Sequence, residues 1–398
     1  MSDAADRPET AALASRQRTA LLVGATALVL CTAYAALGAA LRWPAPESFF
    51  RAYLTAYTFW LGVSLGCMAL LMLQYQTGGA WGLWLRPVLE AAAGLLPLLT
   101  VLFLPLALAP FLGRLWPWAD PVTYSHLPEV KRLWFMPWFF LARAACYFLV
   151  WNAFVFMLRA GSRAHEAAGA PTPRRFRILG ALGLGAYGLT VTGAAIDWTM
   201  SLDPEWWSTI YGAMVAVAQL LSGFAFAVLV TALLELRRPA DPDRPPVPLR
   251  DFGSLLLAFT MLWAYMAFSQ FLLIWAGNLP EETRWYVPRV NGGWQWAALA
   301  MVLFQFALPF LMLLSGDVKT NPRLLVGVTA MSLATRFVEQ LWITLPSFRD
   351  NFGDLVVLAP ALLVGIGGVW ASLFLWELRR RPLTPAPTAL TGEALAHD

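Results

Sequence analysis

Apolar stretches of about twenty residues recur along almost the whole chain and leave little sequence for a soluble domain. Inside a lipid bilayer every backbone polar group must find its partner within the segment, so such stretches must be helices or closed barrels. The 398 residues are 59% hydrophobic and 13% charged, whereas a soluble domain is roughly a quarter charged. The sequence therefore predicts an all-α integral membrane protein.

The lengths of the apolar runs, and the charged or Pro/Gly breaks between them, predict ten transmembrane helices. These fall near 20–41, 50–75, 88–112, 133–158, 177–200, 207–235, 252–277, 292–315, 323–345 and 355–377. Pro97 and Pro105 predict kinks in the third span. The domain organisation that follows is an N-terminal tail (1–19), a ten-helix domain (20–378) and a C-terminal tail (379–398).

Basic residues are distributed unevenly between the two sets of loops. Eighteen Lys and Arg residues fall in the tails and in the loops on their side, and eight fall in the opposite loops. Cytoplasmic loops carry the excess of Lys and Arg in membrane proteins. The asymmetry predicts that both termini are cytoplasmic and that the connection between the fifth and sixth spans is on the outer side.

The residues that ligate redox centres are scarce. Cys31, Cys67 and Cys146 all lie inside apolar segments, which is typical of small hydrophobic packing residues, and no C-x-x-C-H haem motif is present. The three histidines lie outside the predicted spans. We therefore expect no metal or haem on this chain, so any redox centre would belong to a partner. The sequence has no basic stripe with interleaved aromatic residues, so it gives no indication of nucleic-acid binding.

Ionisable and polar residues inside the spans are the strongest functional candidates, because each costs at least a few kcal/mol in a bilayer unless it is paired. Helical rise places Arg143 about 15 Å below the outer surface, and Arg336 and Glu339 about 10–15 Å below it. Asp197 lies near the outer end of the fifth span, and Gln270 about one or two turns inside the seventh. All five are predicted in the outer half of the membrane.

Arg336 and Glu339 are three residues apart and so share one helix face. They are either an internal salt bridge that neutralises two buried charges, or part of a proton path or a quinone head-group pocket. The sequence leaves these alternatives open.

The segment GAAIDWTMSLDPEWWSTIYG (193–212) places an aspartate, a proline break and three tryptophans at the predicted outer end of a span. Asp203 and Pro204 are expected to end the helix, and Asp197 to point into the protein, where a proton or an arginine could meet it. The tryptophans indicate either an interfacial belt or a docking surface for an outer partner. Asp203, Trp206 and Trp207 are the docking candidates.

Three motifs carry a family resemblance: YLTAYTFWLGVSLGCMALLMLQYQTGGAWG (53–82), DWTMSLDPEWWSTIYG (197–212) and FSQFLLIWAGNLPEETRWY (268–286). Together they resemble the ActF-type membrane subunit of bacterial alternative complex III, a relative of NrfD and polysulfide-reductase membrane subunits. The resemblance implies a multi-pass protein of the bacterial inner membrane. It also implies two four-helix bundles, spans 2–5 and 6–9, with two peripheral helices.

The resemblance further implies a quinol:cytochrome c oxidoreductase in which this subunit carries no cofactor and assists quinone or proton traffic. The implied partners are a sister NrfD-like membrane subunit that holds the better supported quinol site, a periplasmic iron–sulfur subunit and cytochrome c subunits. The segment 197–209 would meet the periplasmic subunits. Two other functions remain open, a secondary transporter and a purely structural membrane anchor.

Overall fold

The computed structural model describes residues 6–41, 45–113, 115–166, 174–237, 245–348 and 352–385. Every regular element in these ranges is helical, and ten helical segments are long and apolar enough to cross a membrane. The predicted all-α class and number of spans are confirmed for a multi-pass membrane protein. Parts of both predicted tails, and the loop arginines Arg42, Arg114, Arg238, Arg244 and Arg349, lie outside the described residues.

The helices follow one another in this order: α1 Asp6–Ala40, α2 Ala45–Thr77, α3 Ala80–Ala93, α4 Leu96–Leu102, α5 Leu104–Leu112, α6 Pro121–His126, α7 Glu129–Trp134, α8 Pro137–Glu166, α9 Arg174–Trp198, α10 Tyr211–Glu235, α11 Leu249–Gly277, α12 Pro280–Thr283, α13 Trp294–Ala300, α14 Leu308–Leu314, α15 Gly316–Thr320, α16 Pro322–Thr344 and α17 Phe352–Leu378. Most span boundaries lie within about five residues of the predicted ones.

The third span is divided into α3, α4 and α5, as the prolines predicted. Pro97 and Pro105 each lie in the first turn of the helix that follows a break, where a missing N–H costs least. The span begins at Ala80, earlier than predicted, because Gly78 and Gly79 both have positive φ and reverse the chain directly after α2.

The eighth span is also irregular, which the sequence analysis did not predict. Between α13 and α14 the segment Met301–Ala307 is π-helical. Pro309 follows at the start of α14, and because proline has no N–H it cannot bond the carbonyl of Gln305 in α-helical register. A π-helical turn before it accommodates the lost bond, and such turns are frequent at functional sites.

Helix α2 is the centre of the molecule, since most of its residues are buried and it contacts α3, α9, α10, α16 and α17. At its crossing with α10, a Cβ on Gly66 would lie 1.9 Å from the carbonyl oxygen of Gln219, and one on Gly223 would lie 2.6 Å from the Cys67 nitrogen. The two backbones therefore touch, as small residues permit. This contact within one chain accounts for the glycines at both positions.

Helices α1 and α17 pack against each other through Gly24 and Gly368, whose Cα atoms leave no room for side chains. The outward face of α1 carries exposed leucine and valine side chains, and few residues of that span are buried. In a membrane protein such a face meets lipid. The buried polar residues lie mostly on the other helices, α2, α3, α8 to α11 and α16, and α17 contributes Ser372.

Candidate functional site

Arg336 and Glu339 form the ion pair that their spacing predicted, on one face of α16. Both are buried, at 2% and 7% exposure. Trp263 of α11 donates from Nε1 to Glu339 Oε1 at 3.1 Å, and Arg336 Nε donates to the Ser222 hydroxyl of α10 at 3.2 Å. The pair is thus held by contacts from two neighbouring helices.

A cavity of about 750 Å³ lies directly beside this pair. Its wall comes from α10, α11, the eighth span, α16 and the loop at 285–290, and it is predominantly apolar and aromatic. Tyr265, Phe268 and Val302 line it and are each more than half exposed, so the cavity opens on the surface of the helices that faces lipid. Arg336, Glu339 and Gln340 are polar side chains at its inner end.

The π-helical segment forms part of the cavity wall through Met301, Val302 and Phe306. On its opposite side Gln305 is fully buried and donates from Nε2 to the Ser332 hydroxyl of α16 at 3.0 Å. The irregular turn therefore presents an apolar surface to the cavity while its amide side chain faces α16.

The buried polar face of α16 continues away from Glu339 through Thr335, Ser332 and Thr329. The two threonine hydroxyls donate to carbonyls of their own helix at 2.9 and 2.8 Å. Ten residues separate Glu339 from Thr329, which corresponds to about 15 Å along the helix. Hydroxyl groups thus extend from the carboxylate toward the predicted cytoplasmic side.

Asp197 is at the centre of a second buried site, between α8 and α9. Arg143 donates to both carboxylate oxygens, from Nε at 2.9 Å and from Nη2 at 2.8 Å. Trp134 Nε1 and the Tyr147 hydroxyl donate at 2.8 and 2.9 Å. The structure thus supplies the arginine that the orientation of Asp197 anticipated. With four donors, the carboxylate is fully satisfied, and it does not line the cavity beside Glu339.

Gln270 is buried but belongs to neither pair. Its Oε1 accepts from the Ser208 hydroxyl at 3.1 Å, and its Nε2 has no hydrogen-bond partner among the described residues. The five predicted site residues are therefore separated into two ion pairs and one glutamine that ties α11 to the segment before α10. The structure does not join them into one continuous hydrogen-bonded path.

The predicted docking residues differ in their exposure. Trp206 is buried at 2% exposure and stacks on Trp285 with ring centroids 4.8 Å apart. Its side chain packs inside this chain, so the docking prediction for Trp206 is corrected to an internal packing role. Trp207 is 61% exposed, and Asp203 faces Arg284 at 3.7 Å. These two remain at the surface of the connection between α9 and α10.

Arg289, one of the eight loop charges on the predicted outer side, is the most deeply buried arginine among the described residues, at 1% exposure. It lies over the Trp285 ring at 3.7 Å and donates to the carbonyls of Trp285 and Ile343. Burial lowers the pKa of Arg289 to about 9, partly opposed by nearby Tyr211 and Asp203. It holds the 285–290 loop against the end of α16, where that loop forms one wall of the cavity.

Lys131 ties α7 to the same connection, because its Nζ donates to the Pro204 carbonyl at 2.7 Å. Burial lowers the pKa of Lys131, and the carboxylates of Glu205 and Asp203 oppose that shift. Short helices on the predicted outer side are therefore linked to the segment that carries Asp203 and Trp207.

A charge network at the opposite ends of the helices was not predicted. Glu90 of α3 pairs with Arg86 at 3.4 Å and with Arg381, and Glu377 of α17 pairs with Arg159 at 2.5 Å and Arg381 at 3.6 Å. The network joins α3, α8 and α17.

Among the described residues, no group of three or more His, Cys, Asp and Glu side chains is placed to hold a metal ion. The cavity beside Glu339 is instead suited to an amphiphile that has an apolar body and a small hydrogen-bonding head. Comparison with known protein families gave no match. No curated protein matches the sequence either.

Proposed function

We propose that this chain is a membrane subunit, without a redox centre of its own, of a respiratory quinol:electron-acceptor oxidoreductase in the bacterial inner membrane. In this proposal the cavity beside Glu339 receives the head group of a quinol or quinone. The resemblance of residues 53–82, 197–212 and 268–286 to a subunit of alternative complex III supports the assembly.

The observation that carries the proposal is the combination of a lipid-facing aromatic cavity with a buried Arg–Glu pair at its inner end. A quinol arrives from the bilayer with an isoprenoid tail, so its binding site must open to lipid and be apolar. Its head needs a few fixed polar groups, as small-molecule sites generally provide. A volume of about 750 Å³ is adequate for a ring and the first part of a tail.

Each residue has a role that follows from its contacts. Glu339, which lines the cavity, accepts from a quinol hydroxyl, while Trp263 and Arg336 hold its carboxylate in place. Oxidation of the quinol gives a quinone, two electrons and two protons. The electrons pass to a redox centre of a partner subunit. Glu339 takes the two protons in turn, and Ser332, Thr335 and bound water relay each of them onward.

The arrangement in the membrane is part of the same proposal. Spans 2–5 and 6–9 form two four-helix bundles, and both termini are cytoplasmic, in agreement with the loop charges. Asp203 and Trp207 then face the periplasm, where the iron–sulfur and cytochrome c subunits would dock beside the sister membrane subunit. A reporter fused to the C-terminus should be active only in the cytoplasm, and periplasmic activity would contradict the topology.

The test is saturable binding of decylubiquinone, and separately of a menaquinone analogue, to the purified chain in lipid nanodiscs. Binding is followed by quenching of tryptophan fluorescence. Glu339→Gln should weaken binding about tenfold or more, because a charge-assisted hydrogen bond contributes roughly 1.5–3 kcal/mol. Ala298→Trp puts an indole into the cavity and should abolish quinone binding.

Glu377→Gln is the matched control, since it removes another arginine-paired carboxylate that does not line the cavity. It should bind quinone as the unaltered chain does. If Glu339→Gln and Ala298→Trp both bind quinone with the affinity of the unaltered chain, quinone does not use this cavity. If the unaltered chain shows no saturable binding of either quinone, the quinol-binding role is refuted.

A further inference from the structure

A second, smaller cavity lies behind the first, between α2, α8, α9, α10 and α16. Its volume is about 40 Å³. We call it the inner chamber; it is lined by Thr58, Gln219, Gln340, Thr199, Tyr211 and Trp198, among apolar neighbours. Tyr211 and Gln340 also line the large cavity, so the two spaces share a wall.

Hydrogen-bonded polar side chains line and flank the inner chamber. The Thr58 hydroxyl donates to Gln340 Oε1 at 3.1 Å, the Tyr211 hydroxyl to Thr199 Oγ1 at 2.9 Å, and the Tyr187 hydroxyl to Gln219 Oε1 at 3.0 Å. Groups from both halves of the chain therefore converge on this space. Apolar cavities stay dry, whereas polar cavities of this kind bind water.

Trp198 adds an unmet hydrogen-bond donor to the lining of the chamber. It is buried at 3% exposure, and its Nε1 has no acceptor among the described residues. A buried indole N–H normally finds a hydrogen-bond partner, because leaving it unmet costs roughly 1–3 kcal/mol. The indole lines the inner chamber, so an acceptor in the chamber would satisfy it.

We propose that the inner chamber is a binding site for a cluster of roughly three water molecules, at about 10–15 Å³ of accessible space each. One water accepts from Trp198 Nε1. The others connect the Thr58–Gln340 pair to the Thr199–Tyr211 pair. Water is the occupant that fits, because a site of this size admits no larger polar molecule and its lining supplies both donors and acceptors.

Gln340 follows Glu339 in the chain and joins the chamber to the large cavity. The cluster therefore lies across a shared wall from the cavity that Glu339 lines. Its placement next to a quinol rests on the proposed function. The hydration of the chamber does not depend on quinone binding.

The test is radiolytic hydroxyl labelling of the full chain in nanodiscs, read by mass spectrometry, because buried side chains beside bound water are oxidised by radicals formed there. Trp118 is the internal control, since it is as buried as Trp198, its Nε1 also lacks a described acceptor, and it does not line the chamber. We expect Trp198 to be labelled several-fold faster than Trp118.

Ala194→Leu fills the chamber and should lower labelling of Trp198 to the rate of Trp118, without changing Trp118 itself. Should that variant fail to fold, hydrogen exchange of ¹⁵N-labelled indole groups in the unaltered chain gives the same comparison, with Trp198 expected to exchange faster. Equal labelling or exchange at the two tryptophans would overturn the proposal. Quinone affinity, measured separately, reports on the large cavity alone.

Discussion

Two of the buried arginine–carboxylate pairs, Arg143–Asp197 and Arg336–Glu339, are alike in composition and opposite in setting. Asp197 accepts four hydrogen bonds from Arg143, Trp134 and Tyr147, and the cavity beside Glu339 does not reach it. Glu339 has Arg336 and Trp263 as its described partners and lines a 750 Å³ cavity. The difference indicates that a buried charge pair marks function when its hydrogen-bonding capacity is unfilled beside open space, and stability when it is filled.

The largest expected difference between the two sites is in stability. Asp197→Asn replaces an acceptor by an amide whose NH₂ faces the donors of Arg143, Trp134 or Tyr147, so it should lower the free energy of unfolding by about 3–5 kcal/mol. Glu339→Gln also leaves its arginine without a counter-charge, but its NH₂ can turn toward the cavity, so it should cost about 1–2 kcal/mol less than Asp197→Asn. Denaturant unfolding in mixed micelles measures both, and equal costs would remove the distinction.

Double substitution should separate the sites next. Arg336→Leu alone leaves Glu339 buried without its partner and should cost about 3–5 kcal/mol, whereas Arg336→Leu/Glu339→Leu should be nearly neutral. The corresponding Arg143→Leu/Asp197→Leu protein still leaves the donors of Trp134 and Tyr147 unmet and should remain about 2 kcal/mol less stable. The measurement is denaturant unfolding of these three variants and of the unaltered chain. An Arg143→Leu/Asp197→Leu protein as stable as the unaltered chain would contradict the comparison.

Quinol oxidation and proton release by the assembled complex show whether the Arg336–Glu339 pair relays protons. If Glu339 accepts a proton, the Arg336→Leu/Glu339→Leu protein and Glu339→Gln should both assemble yet lose turnover or proton release. If the pair is only a salt bridge, both variants should keep turnover and proton release. Full activity and full proton release in an assembled Glu339→Gln complex would defeat the relay.

The smallest expected effects come from the neutral donors. Tyr147→Phe removes one of four bonds to Asp197 and should cost about 1 kcal/mol of stability, without changing quinone affinity. Trp263→Phe removes the bond that positions Glu339 and should weaken quinone binding several-fold, with a smaller loss of stability. If Tyr147→Phe weakened quinone binding and Trp263→Phe did not, the roles assigned to the two sites would be wrong.

Sequence reasoning predicted the number of spans because apolar length alone determines which helices can cross a bilayer. The prediction that Arg143, Asp197, Gln270, Arg336 and Glu339 lie in one half of the membrane stays a prediction. Arg336 and Glu339 could be paired from sequence because they share a helix face. Arg143 and Asp197 could not, because their contact depends on how α8 packs against α9.

Other features of the site escaped prediction for a related reason. Trp263 lies in an apolar run and gives no local sign that its N–H meets a carboxylate on another helix. Trp206 and Trp207 are adjacent tryptophans in sequence, yet only the loop geometry buries one against Trp285 and exposes the other. Pro309 was a local signal of the π-helical turn, since proline within a span disturbs the helix before it.

The most direct test of the central claim is photolabelling of the purified chain with an azide-bearing decylbenzoquinone, mapped by mass spectrometry. The cavity beside Glu339 predicts saturable labels on residues of its wall, such as Met261, Phe268, Met301 and Trp342, that unlabelled quinone competes away. Ala298→Trp should abolish these labels. Saturable labels confined to the surroundings of Arg143 and Asp197, or labels on the cavity wall that excess quinone does not displace, would contradict the account.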